Sequence, residues 1–338
     1  MALPAPTFSV ITADAVRRIL DADLAAAKDL VAAVYLRAAG GGIVNPPSLF
    51  LRPDAGRPER FIALPAALEA PARAVGVKWI GSFPGNVDRG LPRASAVIVL
   101  NDPDTGFPVA CLEGAVISAT RTALSAVVGA EALAARPGAA DRLAVIGAGV
   151  IARRTVETLL ACGWRIGSVR VFDLRADRAA AFASDLRAGG VDVRAVTGAA
   201  EAVDGADLVL VATTATTPWF DDPALTRPGA TVLHLSLRDL TAATMAAADH
   251  VVDDPDHAAR EGTSLELAIR HAGLEPRAVR PIGTLLAGGA KRDPGRPVIF
   301  SPFGLGALDV ALAHHVLTGA RDRNLTIEVP GFFGRATT

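Results

Sequence analysis

The chain has 338 residues, 51% hydrophobic and 20% charged, with 34 Lys and Arg against 35 Asp and Glu. Such a composition can bury a large core and excludes disorder, while a net charge of −1 argues against general nucleic-acid binding. At about 150 residues per domain, two domains are expected.

In chain order, Thr12-Ala-Asp14 caps a helix predicted to reach about Ala39, where glycines 40 to 42 stop it. Proline- and glycine-rich turns then separate short strands at Lys78–Ile80, Ala96–Leu100 and Val109–Leu112. Asn101-Asp-Pro-Asp-Thr-Gly106 signals a hairpin turn between the last two. A helix from about Ser118 to Ala135, ended by Arg136-Pro-Gly138, leads into a region of different texture. There, strands at Leu143–Gly147, Val169–Asp173, Val191–Val196, Leu208–Ala212, Val232–Leu235 and His250–Val252 alternate with helices, at Ile151–Cys162 and Ala176–Arg187 among others. That alternation predicts an α/β fold, a doubly wound parallel sheet with helices on both faces. The late apolar helix Gly306–Thr318 is not needed by such a sheet and is expected to return to the first domain. The expected division is therefore 1–121 with 304–338, an α+β domain, and 122–303, a Rossmann domain.

Two cysteines, Cys111 and Cys162, exclude a disulfide framework and a cysteine-rich zinc site. The six histidines form no HExxH and no i,i+4 pair, so no metal is expected. Met1-Ala2-Leu3-Pro4-Ala5-Pro6 lacks the basic start and apolar run of a signal peptide. With no stretch of about 18 uncharged apolar residues, no membrane partner is expected and the cytoplasm is the default address.

Gly147-Ala-Gly149-Val-Ile-Ala152 follows a predicted strand and opens a predicted helix, the context in which GxGxxA binds a dinucleotide. Gly147 permits the tight turn, Gly149 lets the pyrophosphate approach, and the helix N-terminus carrying Val150 and Ile151 supplies N–H groups. Asp173, at the end of the next strand, suits a ribose 2′-hydroxyl and repels a 2′-phosphate, which favours NAD over NADP. Arg175 and Arg178 nearby leave NADP open, and Asp173 as a helix N-cap is the alternative role. Thr213 and Thr214, after another strand, and Ser301 complete the expected cofactor set.

Four cations stand outside helix-surface patterns: Arg52, Lys78 between apolar neighbours, Arg93 and Arg121. Singly each suits a surface charge or structural ion pair; together they suggest a pocket for several carboxylates. Asp239, past a strand end in His234-Leu-Ser-Leu-Arg-Asp-Leu240, stands where such sheets place catalytic groups, or caps the helix before Thr241.

Val77-Lys-Trp79, Asn101-Asp-Pro-Asp-Thr-Gly106, Ala119-Thr-Arg-Thr-Ala123, Gly147-Ala-Gly149 and Phe303-Gly-Leu-Gly-Ala-Leu-Asp309 resemble the ornithine cyclodeaminase/μ-crystallin family. Asn45-Pro-Pro-Ser48, Ser82-Phe-Pro-Gly-Asn86, Gly90-Leu-Pro-Arg-Ala-Ser95 and Leu235-Ser-Leu-Arg-Asp-Leu240 are similar to one branch, dehydrogenases of N-(2-amino-2-carboxyethyl)-L-glutamate that release 2,3-diaminopropionate for siderophores and peptide antibiotics. The resemblance implies a homodimer built on the first domain, bound NAD, Lys78 and Arg121 on the substrate, and Asp239 as acid/base. Arg52 and Arg93 would hold further substrate carboxylates. The cyclodeaminases carry their acid in a glycine-containing segment that Leu237-Arg238-Asp239 replaces, which speaks against ornithine cyclisation. Reduction of cyclic ketimines by the same residues, or cofactor-dependent binding without catalysis, are the rival functions.

Overall fold

The computed structural model describes residues 7–54, 56–289, 293 and 295–334; Met1–Pro6, where no signal peptide is expected, lie outside the described residues. The chain divides into two compact units, Met1–Arg121 with Leu305–Thr338, and Thr122–Gly304. The first begins with β1 (Phe8–Ile11), α1 (Ala13–Ala22), α2 (Leu24–Ala39), β2 (Ile43–Val44) and β3 (Leu49–Leu51). It continues with β4 (Arg60–Leu68), β5 (Ala74–Ser82), β6 (Ala94–Asn101), β7 (Pro108–Glu113) and the part of α3 (Gly114–Leu133) up to Arg121. The single helix predicted up to Ala39 is two. Thr12 caps α1, but the Asp23 side chain accepts from the Ala26 N–H at 2.9 Å and starts a second helix there.

The second unit holds β8 (Ala139–Ile146), α4 (Val150–Ala161), β9 (Arg165–Phe172), α5 (Ala176–Ala188), β10 (Val193–Ala195), α6 (Ala199–Val203) and β11 (Leu208–Val211). After these come β12 (Thr231–His234), α7 (Ala242–Ala246), β13 (Asp249–Val252), α8 (Pro255–Ala258), α9 (Ser264–His271), β14 (Val279–Pro281), α10 (Ile282–Leu286) and β15 (Val298–Phe300). Among the described residues these strands make one eight-stranded parallel sheet, in the order β10-β9-β8-β11-β12-β15-β13-β14. β11 and β12 are buried along their whole length, as expected of a sheet covered on both faces. The connections leave β8 and β11 in opposite directions. Their carboxyl ends therefore flank a topological switch point, where doubly wound sheets bind ligands.

The chain then returns to the first unit as α11 (Gly306–Asp322) and β16 (Ile327–Val329). The sheet there runs β16-β1-β7-β6-β5-β4-β2, with β3 also on β4. α11 packs on β4 and β5 and against α1 and α2. It starts hard against the sheet, because a Cβ at Gly306 would sit 2.9 Å from the Leu64 carbonyl oxygen. Leu64, Lys78, Ile98 and Leu112 are cross-strand neighbours in the last fully buried row. The next rows toward the strand ends, Ile62/Ile80/Ala96 and Arg60/Ser82/Ala94, are half-buried.

The opposite face of this sheet is apolar and open. Trp79 and Val97 are 37% and 41% exposed, and Phe61 stacks on Trp79 at 5.4 Å. One helix, α3, is long and apolar enough by length and composition to cross a membrane, yet it carries Arg121 and Glu131 and residues 123–130 are all buried.

Candidate active site

In the first unit, the apolar neighbours of Lys78 bury it to 1% exposure, and burying an unpaired ammonium is prohibitive. Its partner is Asp309, in the first turn of α11, at 2.6 Å. The other oxygen of Asp309 faces Arg121 Nε at 3.3 Å, and Lys78 also donates to Ser118 Oγ at 3.2 Å. Three elements, β5, α3 and α11, thus bring two cations onto one buried carboxylate. Burial pushes the Lys78 ammonium down, Asp309 pulls it up and Arg121 pushes it down again, leaving it at about 8. An amine with that value can exchange protons near neutrality. Arg52, exposed and 5.1 Å above the Phe50 ring, and Arg93, half-buried, are not in this cluster. They lie near the strand ends beyond it.

In the second unit, Gly147 takes φ +95°, and a Cβ there would lie 2.5 Å from the Ala212 carbonyl oxygen. Only glycine fits that turn. Gly149 caps α4 without a side chain, and its Cβ direction is open to 4 Å, so backbone N–H groups and the positive end of a 12-residue helix face free space. Val150 is 74% exposed, Ile151 is half-buried, and Ala152 is fully buried where the helix closes on the sheet. Asp173 is not the cap of the next helix. Arg175 takes the N-cap position, and the Asp173 carboxylate accepts from Ala148 N–H at 2.8 Å and Arg175 N–H at 2.9 Å. A fixed anion therefore stands beside the glycine turn, with lone pairs left for a ribose hydroxyl. The Arg175 guanidinium is turned to Asp177 at 2.8 Å.

Asp239 differs from the expectation of a base facing water. It has no exposed surface and is not a helix cap, since Thr241 caps α7. Its carboxylate accepts from the Thr213 and Ser236 hydroxyls and from Trp219 Nε1 at 3.0 Å, with His234 Nε2 at 3.5 Å. Its carbonyl also binds the Trp219 and Phe220 N–H groups, each at 2.8 Å. The turn that presents it is strained, with Leu237 at φ 71°. Burial raises the Asp239 pKa, but the hydrogen bonds from His234, Ser236 and Thr213 outweigh it and hold the carboxyl below its ordinary value. A buried anion so fully held is a poor direct acceptor from water. It fixes the loops that carry Thr213 and Trp219. Ser301, expected as a cofactor contact, is 2% exposed and lies behind His234, with Oγ 3.3 Å from Nδ1. Thr213 is half-buried and Thr214 exposed.

The profile of the ornithine cyclodeaminase/mu-crystallin family matches residues 9–324. The chain belongs to that family. It is 30% identical to N-((2S)-2-amino-2-carboxyethyl)-L-glutamate dehydrogenase of Staphylococcus aureus, over 83% of this chain and 86% of that one. Among solved structures, the Δ1-pyrroline-2-carboxylate reductase of Thermococcus litoralis with NADH and L-proline superposes with a TM-score of 0.88. It shares 25% identity, covering 95% of this chain and all of that one. An archaeal alanine dehydrogenase dimer with bound NAD gives 0.86 at 25% identity, covering 96% of this chain and all of that one.

Within this family member, the residue that sequence reasoning passed over is Asp309. The signal was present, since it is a carboxylate in an otherwise apolar helical stretch. Its partner is 231 residues away, beyond the reach of any local pattern. Among the described residues no group of three His, Cys, Asp or Glu is placed to hold a metal, and Cys111 and Cys162 are not disulfide-bonded.

Proposed function

We propose that this chain is an NAD-dependent dehydrogenase that oxidises the glutamyl Cα–N bond of N-(2-amino-2-carboxyethyl)-L-glutamate and hydrolyses the product to 2-oxoglutarate and 2,3-diaminopropionate. The observation that carries the proposal is the spread of cations in the first unit. Lys78 and Arg121 meet at Asp309, and Arg52 and Arg93 lie near the strand ends beyond them. A substrate with three carboxylates uses that spread, whereas proline or alanine, with one, does not. The glycine turn, the open N-terminus of α4 and Asp173 suit a dinucleotide without a 2′-phosphate. These residues would hold NAD, which would supply the acceptor for the hydride of the glutamyl Cα.

Arg121 holds the carboxylate beside the reacting carbon. Lys78, neutral above about pH 8, takes the proton from the substrate's secondary ammonium and frees the lone pair that expels the hydride. Water then adds to the resulting C=N bond. The Lys78 ammonium returns its proton to the nitrogen, the C–N bond breaks, and 2-oxoglutarate leaves as the ketone. In the second unit, Asp239 has a narrower role than a free base. It orients the Thr213 hydroxyl and the Trp219 indole, and the proton lost by the attacking water passes to solvent.

The open apolar face around Trp79 and Val97 is the surface we assign to a second copy of the chain, in keeping with the dimeric alanine dehydrogenase neighbour. The test of function is growth of the NADH absorbance band when protein, NAD and the glutamyl adduct are mixed, with ornithine, proline and alanine run in parallel. NADH from the adduct alone supports the proposal. Turnover of proline or ornithine without the adduct overturns it in favour of a ketimine reductase or cyclodeaminase.

A further inference from the structure

We infer that Arg60, together with Arg52, holds the substrate carboxylate most distant from Lys78 and sets the preference for a polycarboxylate. The identity of the natural substrate rests on the function proposed above; the placement of Arg60 does not. On β4, Leu64, Ile62 and Arg60 alternate onto one face of the sheet. Leu64 pairs with Lys78, Ile62 with Ile80 and Arg60 with Ser82. Arg60 therefore shares the face of Lys78, four residues farther along, about 13 Å at the rise of an extended strand.

The same register brings in one more arginine. Ala94 pairs with Ser82 and so lies in the row of Arg60, whereas Arg93, one residue before it and bonded through its carbonyl to Phe83 N–H, leaves that row by the alternation of the strand. On the other side β3 pairs Leu51 with Phe61, so the next residue, Arg52, comes opposite Arg60. α11 starts short of this end, with its first residue, Gly306, against the backbone of Leu64. The rows beyond that point are half-buried and able to meet a ligand. Between the cationic ends, Ile62, Ile80 and Ala96 form an apolar floor. Glu59, next to Arg60, falls on the opposite face by strand alternation.

The pattern is cation, apolar floor, cation, along one strand pair. It matches a chain of methylenes with carboxylates at both ends. Long lysine and arginine side chains reaching inward shorten the 13 Å of backbone spacing to the length of such a molecule. A one-carboxylate substrate would meet Lys78 and Arg121 and leave the far end idle.

The experiment uses the full chain loaded with NADH and two probes, 2-oxoglutarate with two carboxylates and pyruvate with one. In calorimetry, Arg60→Gln should weaken 2-oxoglutarate by about 10- to 100-fold, the scale of a charge-assisted hydrogen bond lost from a half-buried site. Pyruvate affinity should stay as in the wild type. With the glutamyl adduct, KM should rise by the same factor while kcat changes little. Arg60→Lys, which keeps the charge but loses the planar fork, should recover part of the affinity. It also carries the test if the glutamine variant fails to fold. Wild-type affinity for 2-oxoglutarate in either variant, or equal loss of both probes, overturns the inference. If the wild type does not oxidise the adduct but Arg60→Gln still loses 2-oxoglutarate selectively, the proposed substrate fails and Arg60 stands. If Arg60→Gln oxidises the adduct normally with unchanged KM, the proposed substrate stands and the role of Arg60 fails.

Discussion

Replacing Lys78 by methionine keeps much of the side-chain volume but removes a buried cation. In the wild type, the folded chain holds the Lys78 proton with a pKa of about 8, against 10.5 for the unfolded chain. Below pH 8 both states carry the proton, and the folded state bears the full cost of burying it. Between pH 8 and 10.5 the unfolded chain still binds the proton and the folded chain does not, so stability rises with pH. Above 10.5 neither binds it and the rise stops. The shift corresponds to roughly 3 kcal/mol. Urea unfolding of wild type and Lys78→Met across this range should therefore give a stability difference that moves in favour of the wild type by about 3 kcal/mol. Taking the difference removes the contribution of every other group that changes protonation over this range. A pH-independent difference would refute the assignment of Lys78 as a buried, near-neutral amine. Asp309→Asn acts in the opposite sense. It leaves Lys78 and Arg121 without their counter-charge, at about 3–5 kcal/mol, and the Lys78 pKa falls below 8.

The oxidation rate should climb as pH rises through about 8 and level off above it, with the inflection at lower pH in Asp309→Asn; a profile unmoved by that substitution would remove Lys78 from the proton transfer. Asp173→Ser should narrow the preference for NAD over NADP, set at roughly 1–3 kcal/mol; calorimetry showing NADP bound equally by the wild type would contradict it. Asp239→Asn turns one acceptor oxygen into a donor that faces donors, at about 1–3 kcal/mol of stability. It should also slow turnover by about 10²-fold or more with NAD affinity retained, and normal turnover would make Asp239 purely structural. Val97→Glu puts a charge on the open apolar face and should give monomers by sedimentation, where a persistent dimer would move the interface elsewhere.

The parallel sheet was legible because its strands are short apolar runs and its first turn carries Gly147 and Gly149, whose roles are local. β4 was not. Arg60 and Pro65 interrupt its pattern, and it is a strand because all nine residues pair with β5. The break at Asp23 was hidden for a similar reason, since alanine-rich sequence on both sides favours helix and only the Ala26 hydrogen bond marks the restart. The burial of Lys78 could be read from its neighbours, whereas its counter-ion could not, being set by tertiary contact. Asp239 was singled out by its place after a strand. What its side chain does there depends on Thr213 and Trp219, residues that are assembled around it only by the fold.

The order in which the ribosome delivers this chain follows from the split first unit. When residues up to 121 have emerged, Lys78 has no Asp309, and β4 and β5 have no α11 to cover them. Asp309 comes 231 residues after Lys78, a delay of roughly 10–50 s at ordinary rates of synthesis. Throughout that interval the second unit, whose residues are contiguous, is free to fold first. The nascent first unit meanwhile offers a bare apolar sheet face and an unpaired lysine, a natural target for a holdase chaperone. Release from it would be timed by the arrival of the last helix.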